Sequence, residues 1–492
     1  MSISAELAKR IVGLRYEDLP LEAVSSAKMA ILDTVGVTLA GACEEATMAV
    51  ERALGAGAMS GPCLVFGRNR RTTCLDAALI NGTAAHVLDF DDCSNTLGGH
   101  PSAPIMPALV ALAEEVNASG HEVVLAYVAG FETEAHIARA VNFHHYQKGW
   151  HPTATLGIFG AAAACARLLG LPEERVSTAL SLSVSLASGV KANFGTMTKP
   201  LQVGQCSRNG LFAALLAREG FTANPKAFED KEGFLNVFNG PGTFDAAKIL
   251  EHWANPLDIV APGVAIKQYP CCGSTHPAID AMIQIVRAHR IRPEQVCHID
   301  VWIHARRLAH TNRPDPQSGL DAKFSVQYCV ARALMHAKII REHFEGDAFR
   351  DPEVRRVMER IRVAPYTKVQ FDSSNHFGAE LAVRLVDGNA YSAKVQSALG
   401  RTSKNPLSVE LLKTKFENCA MRALSPEHVS QLYSLIRRLD HVQSILEVTA
   451  IMDTDPLRQR RPAIAKNSLR SSLAVVQQPA SHWRPTPRLN PH

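Results

Sequence analysis

The stretch AELAVRLVDGNAYSAKV, residues 379–395, decides the fold class, because it predicts a β-hairpin in a chain otherwise dominated by helical patterns. Two runs of alternating apolar residues flank Asp387-Gly388, a pair that favours a tight turn between antiparallel strands. Residues 298–305 also alternate and are rich in Val and Ile, which predicts another strand, and residues 362–365 predict the start of a third. The second half of the chain is therefore expected to contain a sheet.

The remainder of the chain shows helical patterns. Before residue 262, apolar residues recur at helical spacing, and neither a βαβ alternation nor a phosphate-binding loop interrupts them. Residues 158–169 are also rich in alanine and glycine, which predicts a helix packed closely against its neighbours. Pro104 is expected to separate a polar loop from the helix that follows it. The predicted helices span residues 21–40, 105–116, 122–141, 158–169, 178–190, 210–219, 354–361, 407–423 and 426–439.

The length and the change of pattern predict more than one domain. A chain of 492 residues exceeds what a single hydrophobic core usually supports. The pattern changes near Pro262, so we expect a mainly α fold in which a smaller α+β domain is inserted into a large helical domain. The predicted boundaries are 1–262 for the first part of the helical domain, 263–399 for the inserted domain, 400–455 for the closing helices and 456–492 for a tail.

The charge distribution argues against nucleic-acid and membrane partners. From Pro456 onward the chain carries seven cationic residues and no acidic one, and without these seven the formal net charge of +5 becomes −2. The basic segment is rich in Pro, Arg and Ser and lacks apolar periodicity, so it is predicted to be disordered. No uninterrupted apolar run reaches the roughly 20 residues of a membrane helix.

The eleven cysteines predict neither a structural metal nor a disulfide framework. None forms a C-x2-C pair, and Cys271 and Cys272 are adjacent, which does not suit one zinc ion or one iron–sulfur cluster. Free thiols in a reducing cytoplasm are the simplest interpretation. Residues 1–24 are charged and amphipathic, so they do not resemble a signal peptide.

One short stretch concentrates polar groups beyond what folding requires. HVLDFDDCSNTLGGHPSAP, residues 86–104, contains Asp89, Asp91, Asp92 and His100. The aspartates could cap the next helix or pair with surface lysines, and a histidine before proline is often structural. Asp91 and Asp92 remain undecided between pocket and cap.

Within the same stretch, Gly98-Gly99 is expected to let the backbone turn so that His100 faces inward.

Four further places carry lysine, arginine and histidine in similar density. Ser274 or Thr275 is predicted to cap a helix that starts near Pro277, and the free N–H groups of such a terminus suit a carboxylate ligand. Lys199 and Lys267 could instead be simple solvated charges. The four places are residues 150–153 with His151, 196–200 with Lys199 followed by Arg208, 267–277 with Lys267, Ser274, Thr275 and His276, and 304–314 with Arg306, Arg307 and His310.

Together these groups favour chemistry on a polycarboxylate. Cations bind carboxylates and stabilise the enolate-like charge that develops when a proton α to a carboxylate is removed or added. A histidine or lysine with a pKa near neutrality transfers the proton. An aspartate can hold a histidine in one tautomer and raise its basicity.

Several long motifs in order resemble the MmgE/PrpD family, over roughly residues 5–450. The motifs are LDTVGVTLAG (32–41), NGTAAHVLDFDD (81–92), GHPSA (99–103), WHPTATLG (150–157), TKPLQVG (198–204), SRNG (207–210) and YPCCGSTHPAIDA (269–281). The resemblance implies a helical domain with a smaller α+β lid domain, a homodimer, and an active site between the two domains. Members include 2-methylcitrate dehydratases, cis-aconitate decarboxylases and an iminodisuccinate epimerase, and they work without an iron–sulfur cluster.

The resemblance also implies the site residues. The positions that match the pocket of the decarboxylases are Asp89, His100, His151, Lys199 and Lys267. A tyrosine of that pocket falls at His310, just before Asn312-Arg313-Pro314, so this chain departs there from the decarboxylase pattern. That departure weakens decarboxylation and leaves dehydration or epimerisation open.

The sequence thus predicts a cytoplasmic, cofactor-independent lyase of a small di- or tricarboxylate, similar to 2-methylcitrate dehydratase, with no metal. The alternatives are epimerisation of an amino-dicarboxylate such as iminodisuccinate and decarboxylation of cis-aconitate. More remote are a Mg²⁺-dependent helical terpenoid-type enzyme that uses the clustered aspartates and a non-catalytic scaffold. The predicted catalytic residues are Asp89, His100, His151, Lys199 and Lys267, and the predicted substrate-binding residues are Ser274, Thr275, His276, Arg208 and His310.

Overall fold

The computed structural model describes residues 2–55, 60–372 and 375–453. The fold is mainly α, as the sequence predicts, with one larger sheet and two short two-stranded ones among these residues. The basic tail predicted to be disordered, residues 456–492, lies outside the described residues.

The first part of the chain is almost entirely helical. Short 3-10 and π turns connect several of its helices. The α-helices are α1 Ile3–Gly13, α2 Leu21–Gly41, α3 Glu45–Ala53, α4 Cys74–Val87, α5 Ser102–Val116, α6 Gly120–Val141, α7 His144–Lys148, α8 Pro152–Thr155, α9 Gly157–Leu168, α10 Glu173–Leu186 and α11 Thr198–Arg218. The short strands are β1 Cys63–Leu64, β2 Arg71–Thr72, β3 Cys93–Ser94 and β4 Val264–Ala265.

The later part mixes helices and strands and then returns to helices. Its helices are α12 His276–His289, α13 Ala305–Thr311, α14 Gly319–Ala322, α15 Val326–His336, α16 Pro352–Met358, α17 Val409–Ala420, α18 Pro426–Arg437 and α19 Ile445–Met452. Its strands are β5 Val296–Ile303, β6 Ile361–Pro365, β7 Ala379–Leu385 and β8 Ala390–Val395.

The four later strands form one sheet in the order β6-β5-β7-β8. The hairpin predicted around Asp387-Gly388 is confirmed: β7 and β8 pair antiparallel, with Ala379 opposite Val395. β5 pairs antiparallel with β7 and parallel with β6. Alternate side chains of β7 are buried, because one face of the sheet packs on a hydrophobic core.

Several predicted helices have different bounds in the structure. The helix predicted at 210–219 is the second half of α11, which already begins at Thr198, so Lys199 and Pro200 lie in its first turn. Proline is tolerated there because a first-turn N–H has no intrahelical partner. Likewise, α5 begins at Ser102, so Pro104 lies inside the first turn rather than before the helix. α10 ends at Leu186, four residues before the predicted end.

Close helix packing around α9 confirms the expectation from its alanine and glycine content. Residues 157–166 of this helix are all buried. They pack in a core with side chains from α1, α5, α6, α10 and α11. Small side chains allow the backbones of these helices to approach closely, and the starts of α8 and α11 line one cavity.

α2 is long and apolar enough to cross a membrane by length and composition alone. However, 78% of its most apolar 18-residue window is buried inside the structure, as in the core helix of a globular protein. The sequence expectation of no membrane partner stays a prediction.

The predicted inserted domain corresponds to a separate cluster of buried side chains. This cluster is formed by residues between Tyr269 and Val395, whereas two larger clusters hold the helices before and after it. The exact domain boundaries and the role of this part as a lid stay predictions.

Candidate active site

One cavity collects most of the predicted site residues. It encloses about 820 Å³, part of it open to solvent, and its wall combines the stretch after α4, the starts of α8 and α11, and residues from the later part of the chain. All five predicted catalytic residues line it: Asp89, His100, His151, Lys199 and Lys267. They come from positions up to 178 residues apart, so only the fold could show that they converge.

Asp89 follows the end of α4 in a left-handed backbone conformation, with φ 53°. Few residues other than glycine adopt this conformation, although aspartate tolerates it better than most, and it occurs where surrounding contacts hold the chain. Here the contacts come from lysines. Lys323 Nζ donates to Leu88 O, Lys267 Nζ to Asp89 O at 2.6 Å, and Lys415 Nζ to Phe90 O at 2.8 Å.

The carboxylate of Asp89 binds two ammonium groups. Lys199 Nζ lies 2.5 Å from Oδ1, and Lys267 Nζ lies 3.1 Å from Oδ2. Burial opposes ionisation of this carboxyl, but the two lysines outweigh it and hold the pKa of Asp89 well below its usual range. Asp89 therefore remains charged, and the ion pairs raise the pKa of Lys267 despite its burial.

His100 is held in its protonated form by a second aspartate. Its Nδ1 lies 3.0 Å from Asp91 Oδ2, which also accepts a hydrogen bond of 2.8 Å from His86 Nδ1. Burial disfavours the imidazolium, but the Asp91 carboxylate and the Cys93 thiolate outweigh it and raise the pKa of His100 to about 9. Burial lowers the pKa of His86 to about 3, so His86 is neutral.

The Gly98-Gly99 turn presents His100 as expected. Gly98 has φ 66°, which side-chain-bearing residues rarely adopt, and a Cβ on Gly99 would lie 2.8 Å from Thr153 Oγ1. Thr153 Oγ1 instead accepts a hydrogen bond of 3.1 Å from His100 N.

The structure separates the roles of the two undecided aspartates. Asp91 orients His100. Asp92 does not line the cavity: its carboxyl accepts hydrogen bonds from the backbone N–H and the hydroxyl of Ser102, the first residue of α5. Burial raises the pKa of Asp92 well above its usual range. Its hydrogen bonds to Ser102 support the start of α5.

His151 is the neutral counterpart of His100. Its Nδ1 donates to Gln202 Oε1 at 2.8 Å, and the Gln202 amide is oriented by its own bond to Val190 O. This leaves Nε2 with a free lone pair. Burial, His86 and Lys199 hold the pKa of His151 well below its usual range. One cavity thus contains a protonated imidazole and a neutral one, which is the arrangement that general acid–base chemistry needs.

Of the predicted substrate-binding residues, Ser274 and His310 line the cavity. Ser274 Oγ lies 3.0 Å from His310 Nε2 and accepts a hydrogen bond of 3.1 Å from Arg307 Nη1. Burial, with Arg307 next, lowers the pKa of His310 to about 3.

Thr275, His276 and Arg208 do not line this cavity. α12 begins at His276, but the Thr275 hydroxyl donates back to Cys272 O and does not cap the helix. The His276 ring packs on Tyr269, and its Nε2 lies 3.2 Å from Cys271 O. Arg208 is nine residues after Lys199 on α11, two and a half turns at about 3.6 residues per turn, which puts it on the opposite side of the helix.

Sequence reasoning missed several groups of the site. Arg306 and Arg307 stood out as polar but received no role, and Arg401, Cys93 and Lys323 received no attention. Arg306, Arg307 and Cys93 lie in stretches that stand out as polar in the sequence, whereas no local pattern marks Arg401 or Lys323. The first four line the cavity, and Lys323 lies directly behind it.

One group of side chains could in principle hold a metal ion. One ligand atom each of His86, Asp89 and His100 lies within 4.8 Å of the others. However, the Asp89 carboxylate already binds Lys199 and Lys267, so a divalent cation would bring further positive charge next to two ammonium groups. The residues fit a metal poorly.

Comparison with known proteins gives a consistent result. Residues 5–247 match the model of the MmgE/PrpD N-terminal domain, and residues 269–441 match that of the MmgE/PrpD C-terminal domain.

Three curated relatives illustrate the similarity over almost the whole chain. The cis-aconitate decarboxylase of Homo sapiens is 29% identical, and the match covers 95% of this chain and 97% of that protein. The cis-aconitate decarboxylase of Mus musculus is 28% identical over 92% of this chain and 93% of its own. The cis-aconitate decarboxylase of Aspergillus terreus is 26% identical over 92% and 96%.

Proposed function

The chain belongs to the MmgE/PrpD family, and from this premise we propose that it is a cofactor-independent lyase that decarboxylates a small polycarboxylate of the cis-aconitate type. The observation that carries the proposal is the single cavity in which protonated His100 and neutral His151 lie beside the Asp89–lysine cluster. The names of the relatives favour decarboxylation over the other reactions of the family.

The proposed reaction begins with cleavage of the bond between a carbon and its carboxylate. Carbon dioxide leaves, and the electron pair stays on the substrate, where conjugation delocalises it onto a remaining carboxylate. Lys199 and Lys267 lie where they can bind that carboxylate and stabilise the developing charge. His100 then donates its proton to the carbanion and is reprotonated from water, which gives an unsaturated dicarboxylate and balances the reaction.

Dehydration of 2-methylcitrate is the second candidate, because the cavity holds a neutral base as well as an acid. His151 Nε2 would remove the proton α to a carboxylate, and His100 would protonate the departing hydroxyl. Decarboxylation needs only the acid. The histidine at position 310, where the decarboxylase pattern has tyrosine, also supports this second candidate.

The test is to incubate the protein separately with cis-aconitate, 2-methylcitrate, citrate and iminodisuccinate in D2O and to follow each by proton NMR. We expect carbon dioxide release from cis-aconitate with one deuteron incorporated into the product. Loss of water from 2-methylcitrate would favour dehydration, and deuterium exchange without net change would favour epimerisation. No reaction with any of the four would reject the proposed substrate class.

Two controls make the test specific. Turnover should survive excess EDTA, because the proposed reaction uses no metal, whereas a Mg²⁺-dependent terpenoid-type enzyme would lose its activity. His100→Gln should abolish proton delivery, while Asp76→Asn, in the first turn of α4 and away from the cavity, should leave turnover unchanged.

A further inference from the structure

Three arginines form a second cationic group in the cavity wall. Arg306 and Arg307 lie on α13, and Arg401 lies in the loop after β8. Among the described residues, none of the three guanidinium groups has a carboxylate within 4.0 Å. Asp89 is the only carboxylate that the described residues contribute to the cavity wall, and Lys199 and Lys267 already bind it.

The arginines are oriented even though no protein anion binds them. Arg306 Cζ lies 4.1 Å from the centre of the Phe143 ring, and Arg307 and Arg401 lie over the Phe377 ring at 4.5 and 5.0 Å. Such stacking fixes the plane of a guanidinium and leaves its N–H groups, which lie in that plane, free to donate hydrogen bonds.

Hydrogen bonds fix one of the three further. Arg307 Nε donates to His376 O, and Arg307 Nη1 donates to Ser274 Oγ at 3.1 Å. Within the described part of the chain, in contrast, the buried Nε of Arg401 has no hydrogen-bond partner, and the Arg306 guanidinium stacks on Phe143 without a hydrogen bond to the protein. Unused donors in fixed planes suit bidentate binding of a carboxylate.

Bringing these three charges together is costly without an anion. Burial and the neighbouring Arg401 and Arg306 lower the pKa of Arg307 to about 9, and burial also lowers the pKa of Arg306. The cavity therefore has an excess of positive charge that its own acidic groups do not neutralise. A bound polyanion would relieve this repulsion.

We propose that Arg306, Arg307 and Arg401 form a subsite for a carboxylate remote from the reacting carbon, so that the site selects tricarboxylates over dicarboxylates. The inference rests on the proposed function and deepens it. Asp89, His100, His151 and the two lysines then serve the reacting end, and the arginines hold the other end and fix the orientation of the substrate.

The experiment measures binding of three unreactive ligands by calorimetry. Propane-1,2,3-tricarboxylate carries three carboxylates, pentanedioate lacks the central one, and 2-methylbutanedioate lacks a terminal one. One of the two dicarboxylates must lack the group that the arginines bind. The wild-type protein is expected to bind the tricarboxylate at least tenfold more tightly than that dicarboxylate.

The variants are Arg306→Gln and Arg401→Gln, because neither guanidinium donates a hydrogen bond to an acceptor among the residues that the structure describes. Each variant should bind the tricarboxylate at least tenfold more weakly than the wild type and bind one dicarboxylate with an affinity unchanged within twofold. This difference is the signature of a specific pairing. Arg356→Gln, at an exposed position on α16, is the matched control and should change nothing. Melting temperatures check that the variants fold. If one variant does not fold, the other still tests the proposal.

The outcomes separate the two proposals. The arginine subsite is wrong if both variants reduce the affinity for all three ligands equally, or if neither variant reduces the affinity for any ligand. This holds even where the wild-type enzyme turns over a polycarboxylate. If the wild-type protein neither binds nor converts any polycarboxylate, the lyase proposal fails and the subsite fails with it.

Discussion

Lys199 Nζ lies 2.5 Å from the carboxylate of Asp89, at a residue whose backbone is left-handed. The two residues are 110 positions apart and are almost fully buried. Breaking the ion pairs of a buried carboxylate destabilises a folded protein more than breaking a surface ion pair does. This relationship organises the reacting end of the cavity.

Replacing Asp89 by Asn should remove activity and reduce stability. Turnover is expected to fall at least about a hundredfold, because Lys199 and Lys267 lose the charge that orients them. Unfolding at neutral pH should become easier by about 3 kcal/mol, since two buried ammonium groups lose their counter-ion. Denaturant unfolding and steady-state kinetics measure the two effects, with Asp76→Asn as the control.

The pH dependence of this stability difference has a definite sign. The pKa of Asp89 is depressed in the folded state, so its contribution is present above the unfolded value of about 4 and is lost as the pH falls through the folded pKa. The difference between wild type and Asp89→Asn should therefore be constant above about pH 5 and shrink in acid. A difference that grows in acid would contradict the assigned ion pairs.

Replacing Asp91 by Asn should shift the alkaline limb of the activity profile. Asp91 and Cys93 raise the pKa of His100 to about 9 against burial, so the wild-type kcat/KM should decline as the pH passes about 9. The raised pKa of His100 also stabilises the folded state. This contribution is fully present below about pH 6.5 and is lost as the pH rises through about 9.

In Asp91→Asn, burial is no longer offset by this carboxylate, and the limb should move at least one pH unit lower. The measurement is kcat/KM between pH 5 and pH 10. An unchanged limb would show that His100 does not act as the acid.

The sequence predicted the hairpin and most helices because those features depend on local periodicity and turn chemistry. The Asp387-Gly388 turn and the apolar spacing of α6 depend on residues that are close together in the sequence. The motif resemblance also selected five residues that all lie in the cavity wall, namely Asp89, His100, His151, Lys199 and Lys267. The limits of reasoning from local sequence appear at Thr275, whose hydroxyl donates to Cys272 O instead of capping α12, and at Arg208, which lies on the far side of a helix that begins earlier than predicted.

What the sequence could not supply was long-range pairing between single polar residues. Lys323 and Lys415 occur without a motif, yet they bind carbonyl groups 235 and 325 residues earlier in the chain. The same holds for Arg401, which joins the cavity from beyond the last strand. Such contacts depend on tertiary packing, and their positions in a single sequence carry no periodicity.

Lys323 provides a test of how the left-handed Asp89 is held. Its ammonium donates to Leu88 O, directly before Asp89, and burial lowers the pKa of Lys323 to about 8. Lys323→Met removes the donor and leaves that carbonyl unpaired, so the Asp89 carboxylate should lose its fixed direction. We expect kcat to fall about tenfold with little change in KM, since Lys323 does not line the cavity and its ammonium is bound to Leu88 O.

The control for this variant is Lys338→Met, because Lys338 is exposed and lies outside the cavity wall. Equal losses in kcat and in melting temperature for both variants would indicate a general loss of packing. A fall in kcat confined to Lys323→Met, with KM preserved, supports its positioning role.

Cys93 should be the most reactive thiol towards anionic reagents. Burial opposes its ionisation, but His100, whose Nδ1 lies 3.9 Å from Sγ, and Lys267 outweigh burial and lower the pKa of Cys93 to about 6. The thiolate lines a cationic cavity, so iodoacetate should modify it faster than neutral iodoacetamide, the reverse of the order at exposed Cys297.

Peptide mass spectrometry over time at pH 7 measures both rates. Propane-1,2,3-tricarboxylate should protect Cys93 and leave Cys297 unaffected, because Cys93 lines the cavity and Cys297 does not. Faster reaction with iodoacetamide at Cys93 would show that the cavity does not attract anions.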